Sequence, residues 1–190
     1  TRAVLDGSVP ACKWTRLAVQ RQADDLQRAP SEDWPWVFDA DKATRPCEFI
    51  GLLPHIKGKW ARERRLIALE DWQCFILTTV FGWVHRDTGL RRFREGYIEV
   101  PRKNAKSTIS SGLLLYMLAA DNEHGAEVYS AATTRDQARI VFHDARAMAE
   151  RTALRARLAR EAGDAAVDLE ADYARADARL VHLQRQEREA

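Results

Sequence analysis

A short basic turn between a β-rich run and a long apolar segment constrains the fold of this chain more than any other feature. The stretch from Glu99 to Thr108 reads EVPRKNAKST. Residues 97–100 (YIEV) before the turn favour a strand, and residues 107–120 after it favour a helix with an almost continuous apolar body. The order strand, loop and helix is the one that a phosphate-binding loop requires.

The turn matches the phosphate-loop pattern G-x-x-x-x-G-K-[ST] only in part. In that pattern backbone N–H groups surround the β-phosphate, the lysine reaches the β- and γ-oxygens, and the hydroxyl meets Mg²⁺. Lys106 and Ser107 occupy the lysine and hydroxyl positions, whereas Val100 and Ala105 stand where the two glycines belong. A methyl group at Ala105 suits the loop only if φ stays negative there.

The charge of the turn favours an anionic ligand. Arg102, Lys103 and Lys106 place three cations within five residues. A helix that starts near Lys106 also directs its free N–H groups and the positive end of its dipole at the turn. The alternative interpretation is a basic surface turn that caps a buried helix.

A second strand and helix follow, and together they predict the fold class. Residues 126–132 (AEVYSAA) favour a buried strand, and a helix is predicted to begin in residues 133–137. Residues 90–93 are predicted to pair with residues 97–100 as a small strand pair. We therefore predict an α/β fold: a partial P-loop NTPase-like parallel sheet flanked by helices, with a long charged C-terminal helix.

The composition limits the class of protein. The chain has 190 residues, of which 46% are hydrophobic and 31% charged, which is enough for one sizeable core. It contains no apolar run near the roughly 18 residues needed to span a bilayer and no signal peptide, so we expect a soluble cytoplasmic protein. Three scattered cysteines without C-x-x-C argue against a disulfide scaffold or zinc site. Without an initiator methionine, the chain is expected to be part of a longer product.

Three regions differ in character along the chain. We predict helices over residues 12–29 and 39–53, and we predict that residues 57–65 (KGKWARERR) form a basic loop that either contacts nucleic acid or is only solvated. The predicted regions are a helical N-terminal region at 1–56, a partial P-loop ATPase core at 57–150, and a charged helical tail at 151–190. The tail carries a heptad-like apolar stripe.

Trp72 and Gln73 form the second candidate contact region. They follow Glu70 and Asp71, an acidic pair that suits the start of a buried helix. An amide can pair with the N6/N7 edge of adenine, and an indole can pack beside the base. The alternative is that the two residues are a helix cap and a core aromatic.

Four segments resemble the N-terminal part of the ATPase domain of the large terminase subunit, the DNA-packaging motor of tailed phages. They are FIGLLPHIKGKW (residues 49–60), LEDWQCFILTTVFGW (69–83), FREGYIEVPRKNAKST (93–108) and AEVYSAATTRDQARIVF (126–142). They occur in order and at similar spacing, and together they cover about half of the chain. Beyond about Arg160 we see no such resemblance.

The resemblance implies a nucleotide site and a role for each matching residue. Trp72 and Gln73 would contact adenine, Lys106 would hold the β- and γ-phosphates, and Ser107 would bind Mg²⁺. Arg102 would sense or stabilise γ-phosphate charge, so that Lys106 and Arg102 are the candidate catalytic residues. The remaining ATP-contacting positions would be Lys103, Asn104, Ala105 and Thr108. Weaker candidates for DNA contact or coupling are Thr134, Arg135 and Gln137.

The resemblance also implies a function and partners. The chain would be the ATP-binding N-terminal part of a packaging motor, with ATP and Mg²⁺ as cofactors, acting in the host-cell cytoplasm. Its partners would be double-stranded DNA, the small terminase subunit and the portal protein, with a homo-oligomeric ring in the full-length protein and no membrane. Hydrolysis also requires an acidic strand end and a glutamate. Since no such run follows Phe142, we expect the chain alone to lack full ATPase and nuclease activity.

Two functions of other classes are compatible with the sequence. One is a non-catalytic interaction protein that pairs through its C-terminal helix, depends on Leu169 and Leu180, and ignores nucleotide. The other is a helicase-like nucleic-acid-binding module, which would bind DNA tightly and in a salt-sensitive way without ATP.

Overall fold

The structure, a computed structural model, describes residues 1–161 of the chain. These residues divide into two compact units that alternate along the sequence. The first unit consists of Thr1–Cys47 and Leu69–Ile98, and the second consists of Glu48–Ala68 and the chain from Glu99 onward.

The described residues form helices and one small antiparallel sheet. The elements in chain order are α1 (Arg2–Leu5), α2 (Lys13–Arg28), β1 (Trp36–Phe38), α3 (Ala40–Leu52), α4 (Gly58–Arg62), α5 (Asp71–Gly82), β2 (Trp83–His85), α6 (Lys106–Ala119) and α7 (Arg135–Glu161). Helices α2, α3 and α6 confirm the predictions from apolar spacing to within one or two residues, and α5 confirms the helix expected after the acidic pair.

The first unit is built around Trp83, which is fully buried. Strands β1 and β2 pair antiparallel, with Phe38 opposite Trp83. The Trp83 indole Nε1 donates a hydrogen bond of 2.8 Å to Oε1 of the buried Gln22 on α2. A buried indole N–H that lost its water without gaining another acceptor would destabilise the fold. The bond to Gln22 supplies that acceptor, and so fixes how α2 lies over the sheet.

Gly82 allows the end of α5 to lie against β1 and α3. A Cβ atom at this position would lie 2.6 Å from Phe38 Cε2 and 2.7 Å from Ala43 Cβ. Both distances are far inside van der Waals contact, so any larger residue would force the aromatic ring or the backbone to move. The unit therefore requires glycine at the junction between α5 and β2.

The second unit packs α6 against α7, with the end of α3 against α6. Ile50, Leu53, Leu115 and Met148 are almost fully buried in this core. A Cβ atom at Gly112 would lie 3.0 Å from Ile50 Cγ1, so the glycine lets the two helices approach closely. Helix α6, which follows the basic turn, is thus buried on most sides, as its continuous apolar sequence predicts.

The parallel sheet predicted from the sequence does not appear in residues 1–161. Residues 97–100 and 126–132 form no strand there. Residues 90–93 do not pair with 97–100 as predicted; Arg91 instead forms a single bridge with Val84. A strand exists through hydrogen bonds to a neighbouring strand, and an apolar pattern alone cannot supply that neighbour. The described fold is therefore mixed helix with a small antiparallel sheet.

Two further sequence predictions concern membranes and the tail. Within residues 1–161, none of the helices has both the length and the apolar character that crossing a bilayer demands. Helix α7 continues into the predicted tail as far as Glu161. Most of the heptad-like stripe, including Leu169 and Leu180, lies outside the described residues.

Candidate phosphate-binding loop

The basic turn leads directly into α6 in the second unit. Helix α6 begins at Lys106, with Ala105 as its N-cap residue, and residues 101–107 are all exposed. The buried body of the helix anchors one end of the turn, so the turn is held on a rigid element while its own side chains face solvent. The helix that follows the turn confirms the sequence prediction, whereas the strand predicted before the turn, at residues 97–100, is absent.

The backbone of the turn is left-handed at two alternate residues. Lys103 has φ 69° and Ala105 has φ 55°. Left-handed residues that alternate with right-handed ones turn successive N–H groups toward one concavity, the arrangement called a nest, which binds anions. The condition set from the sequence for a methyl group at Ala105, a negative φ, is therefore not met.

The left-handed conformation at Ala105 carries a cost. Its methyl group approaches the following carbonyl oxygen, which for a residue other than glycine costs roughly 1–2 kcal/mol. Strain of this kind persists only where the surroundings hold the backbone in place, and it is common at ligand-binding loops.

Lys106 holds the turn from one side. Its Nζ donates to the carbonyl oxygen of Val100 at 2.7 Å and to that of Pro101 at 3.0 Å. The ammonium group is therefore folded back over the turn, although Lys106 as a residue is exposed. A lysine in this position keeps its charge beside the turn, where a phosphate oxygen can take the place of either carbonyl.

Asn104 braces the same turn from within. Its Nδ2 donates to the carbonyl oxygens of Pro101 and Arg102, at 3.3 and 3.2 Å. The side chain thereby closes the turn onto itself, and together with Lys106 it compensates for the strained backbone at Ala105. The structure gives Asn104 a clear role in shaping the loop.

The first turn of α6 is open. It has no side-chain cap, and no acidic residue occupies its first turn. The N–H groups at the start of a helix have no intrahelical acceptors and carry the positive end of the dipole. Ser107 is exposed and Thr108 is half-buried at this end. An anion in the turn would therefore meet backbone donors, the dipole and the Lys106 ammonium.

Ser111 connects this first turn to α7. Its side chain is fully buried, and its Oγ lies 2.7 Å from the carbonyl oxygen of Ser107 and 2.9 Å from that of Val141. A single hydroxyl proton is shared between these two acceptors. Sequence reasoning did not single out Ser111, because nothing in its local pattern distinguishes it from an ordinary small residue on a helix face.

Trp72 and Gln73 lie in the first unit, at the start of α5. Trp72 is 37% exposed, whereas Gln73 is only 6% exposed. Gln73 Oε1 accepts a hydrogen bond of 2.9 Å from the backbone N–H of Glu70, which completes a reciprocal capping box with the Glu70 side chain. The spacing Glu-x-x-Gln is the sequence signal for this box, and it was available in the sequence.

The remaining candidates are exposed or form local hydrogen bonds. Arg102, Lys103 and Arg135 are exposed. The Thr134 hydroxyl accepts from the Gln137 backbone N–H at 3.3 Å, and Thr133 donates to Gln137 Oε1 at 2.7 Å. Thr134 and Gln137 thus help to start α7. In residues 1–161 no group of three or more His, Cys, Asp or Glu side chains could hold a metal ion.

Comparison with known proteins places the chain in a family. The family model described as "Terminase large subunit, ATPase domain" matches residues 71–178, which is more than half of the chain. The match begins later than the resemblance read from the sequence, at the start of α5, and extends beyond Arg160, where we saw none. No curated protein and no solved structure matches the chain. The family match includes α5, the basic turn and α6, and the chain accordingly belongs to the terminase large subunit ATPase domain family.

Proposed function

We propose that the chain binds ATP and Mg²⁺ at the turn from Arg102 to Thr108, as the nucleotide-binding part of a motor that packages double-stranded DNA into phage procapsids. The observation that carries the proposal is the Lys106 ammonium group, held 2.7 Å from the Val100 carbonyl beside a strained turn and an uncapped helix start. Membership in the terminase ATPase family supports nucleotide as the ligand.

The triphosphate would be bound mainly by electrostatics. Phosphate oxygens would replace the carbonyl oxygens of Val100 and Pro101 as acceptors for Lys106, and would accept from backbone N–H groups at the start of α6. Charge on the β- and γ-phosphates would then lie beside a fixed cation. Such preorganised groups need little rearrangement when the ligand enters, which is the condition for strong electrostatic stabilisation.

Ser107 and Arg102 would complete the phosphate site. The exposed Ser107 hydroxyl would bind Mg²⁺ together with phosphate oxygens, as the hydroxyl position of such loops does. Arg102 would reach the γ-phosphate, since it is an exposed cation in the same turn. Lys103, Asn104, Ala105 and Thr108 would shape the loop around the phosphates.

Trp72 and Gln73 would bind the adenine. Trp72 offers an accessible indole face, whereas the Gln73 amide already accepts from Glu70. The amide nitrogen of Gln73 would serve as donor to the base, while its oxygen keeps the start of α5 in place. One side chain would then serve both the helix cap and the nucleotide.

The proposed motor also implies a sheet and partners. We propose that residues 97–100 and 126–132 act as neighbouring strands of a parallel sheet in the assembled motor, which would place the turn at the carboxyl end of a strand. DNA, the small terminase subunit and the portal protein are the proposed partners, with a homo-oligomeric ring as the working assembly in the host-cell cytoplasm.

Thermal unfolding with and without Mg-ATP tests the proposal. A ligand that binds only the folded state stabilises it by about 2.7 kcal/mol at a concentration one hundred times its Kd, so the parent chain should melt at a higher temperature. Lys106→Ala should lose this shift, because a charge-assisted contact to phosphate contributes roughly 1.5–3 kcal/mol. Fluorimetry across an ATP titration measures both.

Lys13→Ala is the matched control, because it removes an exposed lysine from α2 in the first unit. It should retain the full ATP-dependent shift. Equal melting of the parent with and without Mg-ATP would overturn the proposal, as would an unchanged shift in Lys106→Ala.

A further inference from the structure

Residues 57–65, the basic loop, form a closed projection on the second unit. The two ends of the loop are joined by hydrogen bonds from the His55 N–H to the Arg65 carbonyl at 2.9 Å and from the Ile67 N–H to the Leu53 carbonyl at 2.8 Å. Helix α4 occupies the middle of the loop. Its backbone geometry is thus defined by pairing at the base.

Two contacts hold this loop on α7. Lys57 Nζ lies 2.5 Å from Oδ1 of the buried Asp144, and an Arg151 guanidinium nitrogen donates to the His55 carbonyl oxygen at 3.1 Å. Asp144 is buried, whereas the Lys57 side chain is 68% exposed, so the buried carboxylate is the fixed partner of this ion pair. The loop is therefore positioned before any partner arrives.

The basic loop contains more cations than its ion pairs neutralise. It contains five cations and one acidic residue, Glu63. Glu63 is shared by Arg65, at 2.7 Å, and Lys59, at 3.6 Å. Arg62 and Arg64 are exposed, and neither forms an ion pair or side-chain hydrogen bond with another residue of the described range 1–161.

An exposed aromatic residue lies among these basic residues in the sequence. Trp60 is 55% exposed, and its ring centroid lies 4.8 Å from that of His55. An aromatic side chain left in solvent on a segment rich in basic residues is one feature of surfaces that bind nucleic acid. A loop that served only to solvate the protein would have no need of an exposed tryptophan held by a neighbouring ring.

We infer that the basic loop binds the backbone of duplex DNA, with Arg62 and Arg64 on phosphates and Trp60 against the adjoining sugars. The inference rests on the proposed function for the identity of the partner and adds the surface that contacts it. Guanidinium groups suit this task, because they bind phosphate in a bidentate way and are weakly hydrated. Arg64 has a positive φ of 54°, a strained backbone conformation that also occurs at ligand contacts.

The salt dependence of DNA binding tests the inference. Fluorescence anisotropy with a labelled duplex of about 20 base pairs, between 50 and 200 mM salt, gives the slope of log K against log salt. The variant Arg62→Gln with Arg64→Asn should lower the steepness by about 2, roughly 1 for each phosphate contact. Asparagine is chosen at position 64 because it tolerates left-handed backbone.

Arg45→Gln with Arg94→Gln is the control, because it removes two exposed arginines from the first unit. It should leave the slope close to that of the parent. An unchanged slope in the Arg62 and Arg64 variant would overturn the inference, as would an equal loss in the control or no DNA binding by the parent.

Two further measurements distinguish duplex binding by the basic loop from single-strand binding and from the nucleotide proposal. A labelled single strand of the same length should bind no more tightly than the duplex; tighter binding that Trp60→Leu abolishes would overturn the assignment to duplex DNA. The thermal shift with Mg-ATP should be the same in the parent and in the Arg62 and Arg64 variant. If the Arg62 and Arg64 variant keeps both the Mg-ATP shift and the DNA affinity of the parent, the basic-loop inference fails and the nucleotide proposal stands.

Discussion

Helices α5 and α6 begin in opposite ways. At the start of α5, Glu70 and Gln73 form a reciprocal capping box in which Gln73 Oε1 accepts a hydrogen bond of 2.9 Å from the Glu70 N–H. The start of α6 has no side-chain cap, is preceded by the left-handed Ala105, and holds the Lys106 ammonium group beside it. A helix start that is satisfied by its own side chains is structural, whereas one left open beside a cation is available to an anion.

The neighbouring charges reinforce this difference. Asp71 lies in the first turn of α5, where a negative charge stabilises the helix dipole. The first turn of α6 contains no acidic residue and begins with a lysine, which is unfavourable for an isolated helix. Extensive burial of the α6 body offsets this, with Leu115 1% exposed. Stability that comes from packing allows the helix start to be used for binding.

A negative charge in the first turn of α6 should make its start resemble that of α5, and should have the largest effect of the changes proposed here. Thr108→Glu places a carboxylate at the third position of α6, where it should stabilise the ligand-free helix by roughly 0.3–1 kcal/mol. The same charge should repel the triphosphate and weaken Mg-ATP binding by about tenfold, or 1.4 kcal/mol. Isothermal titration and thermal unfolding of the same protein measure the two opposite effects.

Thr108→Gln supplies the neutral control of similar size. It should leave Mg-ATP affinity nearer to that of the parent than the charged variant does. Equal affinity in the parent and in Thr108→Glu would mean that no anion binds at the start of α6.

Removing the cap of α5 should have an intermediate effect on stability. Gln73→Ala removes the acceptor for the Glu70 N–H, and loss of a capping contact costs about 1 kcal/mol. Gln73→Glu keeps a capping-box acceptor but removes the amide donor proposed for adenine. Chemical denaturation should therefore show a loss for the alanine variant and little change for the glutamate variant.

Nucleotide selectivity then separates the two roles of Gln73. If its amide binds adenine, Gln73→Glu should bind Mg-ATP and Mg-GTP with more similar affinity than the parent does. Retained preference for ATP in this stable variant would limit Gln73 to capping α5.

Relieving the strain at Ala105 should have the smallest effect. Ala105→Gly removes the cost of a left-handed alanine, roughly 1–2 kcal/mol. Glycine also has more conformational freedom in the unfolded chain, which destabilises the folded state by about 0.4–1 kcal/mol and offsets part of this stabilisation. We expect a net stabilisation near 0.5 kcal/mol by urea denaturation. Ala105→Val should instead destabilise, because a β-branched residue fits left-handed backbone poorly.

A stabilisation by valine equal to that by glycine would contradict the left-handed geometry. The same glycine variant should keep Mg-ATP binding, because the open start of α6 and the Lys106 ammonium group are unchanged. Loss of binding would show that the methyl group helps to hold the turn.

Helices were easier to predict from this sequence than the sheet. The boundaries of α2 and α6 follow from local apolar spacing and from breakers such as Pro30, because a helix satisfies its hydrogen bonds within its own segment. Residues 97–100 and 126–132 have equally apolar patterns, yet they form no strand in the described range. A strand depends on a partner distant in sequence, which local pattern does not specify.

The candidate site was predictable to a similar extent. The pattern around Lys106 and Ser107 located the turn, and the order of basic residues indicated an anion. The left-handed backbone at Ala105, the brace from Asn104 and the Ser111 hydroxyl shared with Val141 were not predicted. Each depends on how the backbone closes or on a contact across 30 residues, and neither follows from residue type.

The sequence by itself determined where α2, α3, α5 and α6 lie, which turn concentrates positive charge, and which family the chain resembles, because these depend on neighbours along the chain. It did not predict α1, or α4 within the segment expected to be a basic loop. Only the tertiary structure decided that the start of α5 is closed by Gln73 and that Lys106 folds back over its turn. It also decided that Asp144 holds the basic loop through Lys57. These features follow from distances between groups in space, which packing sets and sequence order alone does not.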